Sequence, residues 1–140
     1  MRCSWLIAAL LVGCAGLAPD DPPLPLDATG TANLEMTRGD GCPMTGTEPF
    51  AFTLAQNDVG GYDLTKAATG ETLSGDVTCT PDACDIQLFD QYTDQDATTH
   101  LMMAMLTLDA AHAITGTGMY SAVGTMLTCQ QDLSFSGALE

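Results

Sequence analysis

Alternation with a period of two runs through most of the chain and restricts it to extended, half-buried strands. Ala32, Leu34 and Met36 interleave with Thr31, Asn33, Glu35 and Thr37, and Phe50, Phe52 and Leu54 with Ala51, Thr53 and Ala55. Tyr62 and Leu64 flank Asp63; Leu73, Val77 and Cys79 share one face, and Cys84, Ile86 and Leu88 share another. Cys129, Leu133, Phe135 and Leu139 have one parity near the C-terminus, which aims Cys129 inward with them. Successive side chains of a strand point to opposite sides, so each run carries one apolar face that must be covered and one that meets water. Turn formers separate the runs: Arg-Gly-Asp-Gly at 38–41, Asn-Asp-Val-Gly-Gly at 57–61, Thr-Gly at 69–70, Pro-Asp at 81–82 and Asp-Gln-Asp at 94–96. This rhythm predicts an all-β domain, an antiparallel meander of about eight strands forming a sandwich or an up-and-down barrel. The stretch 97–113 has alanines that also suit a helix, but its threonines and its neighbours predict a strand.

The N-terminus departs from this pattern. Arg2 supplies a positive start, and Trp5 to Val12 form an apolar run closed by small residues. That run is far shorter than the roughly 20 residues needed to span a hydrocarbon core. Leu11-Val12-Gly13-Cys14 follows and resembles the lipobox of bacterial lipoproteins. The resemblance covers residues 1–14 and the style of the segment after them; no family is recognised in the rest of the chain. It implies a diacylglyceryl group on the Cys14 thiol, cleavage between Gly13 and Cys14, and a further palmitate-type acyl chain on the new amino terminus. One acyl chain binds a membrane marginally, whereas two or three hold it firmly. Ala15 rather than Asp after the cysteine implies sorting to the outer membrane of the cell envelope. The alternative is an ordinary secretory signal cut near Ala18.

The chain therefore divides into a signal peptide (1–13), a lipidated cysteine with a Pro-rich tether (14–28) and a single β domain (29–140). Pro19, Pro22, Pro23 and Pro25 give the tether an extended, polyproline-like character, with a reach of about 3.1 Å per residue.

Export makes the remaining cysteines informative. Cys3 leaves with the signal and Cys14 is lipidated, so Cys42, Cys79, Cys84 and Cys129 remain, an even set that reads as two disulfides. Cys79 and Cys84 flank a four-residue turn containing Pro81 and Asp82, which sets them opposite each other at a span a disulfide bridges. Cys42–Cys129 is then the second pair. The spacing lacks two close C-x-x-C pairs, so zinc is the weaker reading.

Charge excludes one class of partner. The chain holds 3 Lys and Arg against 18 Asp and Glu, and loss of the signal leaves only Arg38 and Lys66. Such a surface repels phosphate backbones, so nucleic acid is not expected as a partner. Solubility and GC-rich coding account for the acidity more simply than cation binding does.

Motifs for chemistry are sparse. Ser121 lies in Met-Tyr-Ser-Ala-Val-Gly, which is not a nucleophile elbow. His100 and His112 have no evident catalytic partners, and the domain has no tryptophan for stacking sugars once Trp5 is removed. An enzyme is not expected, and no motif implies a cofactor. Asp90, Asp94 and Asp96 form a weak Ca²⁺ candidate, without EF-hand register. His100, Met102, Met103 and Met105, with Met119 and Met126 downstream, offer soft ligands suited to Cu(I). In a strand, however, His100 and Met102 share one face while Met103 and Met105 take the other, so methionine as core filler is the expected role. Arg38-Gly39-Asp40 reads as a turn. Gly116, Gly118, Gly124 and Gly137 mark either bends or the lining of a cavity.

The functional expectation is a membrane-anchored exported lipoprotein whose small acidic domain is a structural or protein-interaction module. A barrel-type carrier of a small apolar ligand and a Ca²⁺-dependent binding module are the alternatives.

Overall fold

The computed structural model describes residues 22–140; the expected signal peptide, Cys14 and the first residues of the expected tether (15–21) lie outside the described residues. Eight strands follow one another: β1 (Gly30–Arg38), β2 (Gly46–Gln56), β3 (Tyr62–Lys66), β4 (Thr72–Cys79), β5 (Ala83–Thr93), β6 (Thr99–Asp109), β7 (Ala113–Val123) and β8 (Thr128–Leu139). Each pairs antiparallel with the next, and β8 returns to β1 along Ala32–Arg38, which closes the sheet into an up-and-down barrel. Of the two architectures open to the sequence, closure selects the barrel, because it leaves no free edge to be protected. The stretch 97–113 contains β6, whose burial alternates strictly from Met102 to Asp109.

The alternation places the apolar side chains inside. Leu34, Phe52, Leu54, Ile86, Leu106, Leu108, Ile114 and Phe135 are buried there, while threonines, serines and acids dominate the outside. This is the reverse of a lipid-spanning barrel, which turns its apolar band outward. Inward-facing glycines do not open a cavity. A Cβ at Gly116 would lie 2.7 Å from Leu106 Cδ2, and one at Gly137 would lie 2.9 Å from Leu34 Cδ2. The large neighbours occupy the space these glycines vacate, so the interior is filled by side chains, as is usual for barrels of this size.

The methionines divide by parity. Met36 and Met102 are core residues, but Met103 and Met105 are 44% and 59% exposed. The core-filler expectation is thus correct for Met102 and wrong for Met103 and Met105 on the outward positions of β6, for Met119 opposite Met103 on β7, and for exposed Met126.

The barrel has two distinct ends. At one lie the chain termini of the domain and the β2–β3, β4–β5 and β6–β7 turns. Here the segment before β1 folds over the opening: Leu26 N donates to the Thr80 carbonyl at 2.9 Å, and Ala28 N donates to the Tyr62 hydroxyl at 3.4 Å. Ala28 is fully buried and Leu26 packs on the core. The last residues of the expected tether are therefore part of the packed body, which begins ahead of Thr29. At the other end lie the β1–β2, β3–β4, β5–β6 and β7–β8 turns. Each end carries one disulfide, paired as the sequence predicts. Cys79–Cys84 closes the β4–β5 hairpin with Cα atoms 4.0 Å apart, and Cys42–Cys129 ties the β1–β2 turn to the start of β8 at 5.2 Å.

Candidate functional site

The end away from the tether holds a ring of polar side chains on inward-facing positions. Every strand except β4 contributes: Arg38 (β1), Glu48 (β2), Lys66 (β3), Asp90 and Tyr92 (β5), His100 (β6), Tyr120 (β7) and Gln131 (β8). Each continues the apolar parity of its strand at the point where the strand leaves the core, as Arg38 follows Met36 and Asp90 follows Leu88. Both cations among the described residues, Arg38 and Lys66, are in this ring.

Burial obliges these groups to pair. Arg38 Nη2 and Nε donate to Glu48 Oε1 at 2.6 and 3.1 Å, and the Arg38 guanidinium carbon lies 5.1 Å from the centre of the Tyr120 ring. With its amide oriented to meet complementary partners, Gln131 accepts from Arg38 Nη1 at 2.9 Å and donates to the Gly39 and Met44 carbonyls. Across the ring, Lys66 Nζ is 2.6 Å from Asp90 Oδ2 and 3.4 Å from Glu71 Oε2. Burial alone would lower the Lys66 pKa; the hydrogen bonds and charges of Asp90 and Glu71 outweigh it, and the net shift is upward.

His100 joins the two halves. Its Nε2 lies 2.8 Å from Asp94 Oδ2 and its Nδ1 2.6 Å from the Tyr120 hydroxyl, while its ring stacks on Tyr92 with centroids 4.5 Å apart. A carboxylate only accepts, so in the neutral ring Nε2 carries the proton and Nδ1 accepts from Tyr120. The Asp94 carboxyl is held below the usual aspartate range, chiefly by the His100 hydrogen bond and then by the Thr98 and Asp96 amides. Desolvation raises the Tyr120 pKa, so its hydroxyl stays a neutral donor rather than a phenolate nucleophile.

Asp90 is committed to Lys66 and Asp94 to His100, while Asp96 sits in the β5–β6 turn with its amide donating to Asp94. The proposed Ca²⁺ acids are not assembled into one site: among the described residues there is no group of three or more His, Cys, Asp or Glu side chains able to hold a metal ion. His100 belongs to the ring and is separated from Met103 and Met105 by the sheet itself. Arg38, Glu48, Lys66, Tyr92, Tyr120 and Gln131 share no motif in the sequence. The available signal was a polar residue on the apolar parity at the same end of successive strands.

Chemically, the ring is a closed polar lid. Among the described residues no buried side-chain nitrogen or oxygen lacks a hydrogen-bond partner. What it offers to solvent is its rim, with Tyr92 half-exposed beside Asp94 and Glu71. In comparisons with known proteins, no family model, no curated protein and no solved structure matches the chain.

Proposed function

We propose that the chain is an exported lipoprotein, anchored through Cys14 to the outer membrane of a bacterial envelope, whose acidic barrel is a structural or protein-interaction module. The lipobox-like residues Leu11–Cys14 support the anchor, and the interior packed with side chains beneath a paired polar mouth supports the module. Leu106, Leu34 and Phe135 crowd the inward glycines, which favours a module over a carrier of an apolar ligand, and Asp90 and Asp94 already pair with Lys66 and His100. The rim, bearing Tyr92 and flanked by carboxylates, is a recognition surface of the kind in which aromatic residues dominate binding. Leu26 and Ala28 pack at the end opposite the rim, so the chain enters the barrel at the pole away from it.

A photo-activated cross-linker placed at Gln91 on the rim, or at Val59 on the tether-end β2–β3 turn, tests this in intact envelopes. The reading expects a discrete protein adduct from position 91 and none from 59. Equal labelling from both positions, or none from position 91, would contradict it.

A further inference from the structure

The outer face of β6 and β7 carries a feature that the anchored-module reading does not use. Outward positions elsewhere on these strands and on β8 are mostly polar: Thr107, Thr115, Thr117, Ser121, Gln130, Asp132, Ser134 and Ser136. In their midst stand Met103, Met105 and Met119, lining one open groove together with Phe89 and Asp76. Core packing does not explain side chains that point away from the core.

We propose that Met103, Met105 and Met119 form a thioether site for a soft monovalent cation, Cu(I) or Ag(I). Register brings the three together. Met103 and Met119 are direct cross-strand partners, and Met105, partnered with Thr117, is the diagonal neighbour of Met119 on the same face. Directly opposed residues have Cβ atoms about 4.5–5.5 Å apart and diagonal ones about 7–8 Å, distances that unbranched methionine arms span when their sulfurs turn toward a common point. Phe89, the partner of Met103 on β5, walls one side with an aromatic ring. The Met119 sulfur is presented outward, where it accepts from Gln130 Nε2 at 2.7 Å.

Chemistry selects the ion. Neutral thioethers favour soft metals over Ca²⁺ or Mg²⁺. All four cysteines of the domain are tied up in disulfides, so no thiolate in the barrel competes for such an ion. Three uncharged ligands leave a positive charge on the metal, which suits a strongly acidic body with Asp76 lining the groove. Both described cations are paired with carboxylates at the mouth and do not oppose it.

The test uses the full chain with disulfides intact and free thiols blocked by N-ethylmaleimide, titrated with Ag(I) as a redox-inert probe. Native mass spectrometry reads stoichiometry, and ¹³C-labelled methionine methyl resonances read location. One Ag(I) is expected per chain, shifting the methyls of Met103, Met105 and Met119 while those of Met36 and Met102 stay in place. The triple variant Met103→Leu, Met105→Leu, Met119→Leu is expected to lose the bound ion, with unmoved Met36 and Met102 resonances showing an intact core. The double variant Met44→Leu, Met126→Leu is expected to keep it. Undiminished binding by the triple variant, shifts confined to Met44 and Met126, or no binding by the full chain would overturn the proposal. None of these outcomes depends on the lipid anchor or on the rim.

Discussion

Removing the two disulfides one at a time is expected to cost unequal amounts of stability, in an order set by loop length. Cys42 and Cys129 are 87 positions apart and Cys79 and Cys84 only 5. In the chain-entropy account, cross-linking restricts the unfolded ensemble more as the closed loop grows, which gives about 4.6 kcal/mol for the long loop and about 2 kcal/mol for the short one. Burial narrows the gap. Cys84 is fully buried, so its replacement by alanine also leaves a small cavity, at about 1 kcal/mol. Cys42 and Cys129 are only half-buried and add little. The paired variant Cys42→Ala, Cys129→Ala is therefore expected to lose about 4.5 kcal/mol and Cys79→Ala, Cys84→Ala about 3 kcal/mol. Equilibrium unfolding in guanidinium, with slopes fitted for each variant, reads the difference. Because the long disulfide sits beside the β8–β1 seam, its loss should also speed amide exchange along Ala32–Arg38 more than along β5 and β6. An equal or larger loss from the short-loop variant would refute the loop-length argument.

Other perturbations probe the core and the mouth. Leu106→Ala is expected to cost about 3–5 kcal/mol, the upper part of the range for such truncations, since Gly116 opposite has no side chain to relax into the gap; a loss below about 2 kcal/mol in the same denaturation assay would mean a loosely filled barrel. Lys66, whose pKa is raised above its ordinary 10.5, contributes stability that is complete below that pH and lost as pH rises through the raised value. The stability gap between the wild type and Lys66→Met is accordingly expected to be constant at neutral pH and to narrow above pH 10.5 in thermal melts. Asp94, whose pKa is depressed, contributes stability that is present above its ordinary 3.8 and lost as pH falls below it; Asp94→Asn is expected to flatten the acid limb of the stability profile in that window, and an unchanged limb would show the His100 contact to be idle.

Much of the strand layout was legible because parity is a local property. Cys84, Ile86 and Leu88 declare their shared face within five residues, and the same parity carried Cys129 inward toward Cys42. The Cys79–Cys84 pair followed from a single hairpin turn. Closure was not legible, because a sandwich and a barrel place the same residues inward; what separates them is the pairing of β8 with β1, a contact between opposite ends of the domain. The mouth ring was hidden for a related reason. Arg38, Lys66, His100 and Tyr120 meet only once the strands are in register, and each alone reads as a polar residue at a strand end. The β6–β7 turn also lacked a composition signal: it is built from Asp109, Ala110, Ala111 and His112, with His112 in the left-handed region at φ 64° and the Asp109 carboxylate accepting from the Ala111 and Ala113 amides. Methionine was misleading because its apolar side chain fits a core as readily as an exposed groove.

The reading of a tethered barrel depends on Cys14, and membrane fractionation of the wild type beside Cys14→Ser tests it most directly. The wild type is expected in the membrane fraction, resistant to high salt and released by detergent, with a mature mass that begins at an acylated Cys14. The variant is expected in the soluble fraction with both disulfides formed. A Cys14→Ser protein that stays with the membrane, or a wild-type protein whose Cys14 carries no lipid, would contradict the account.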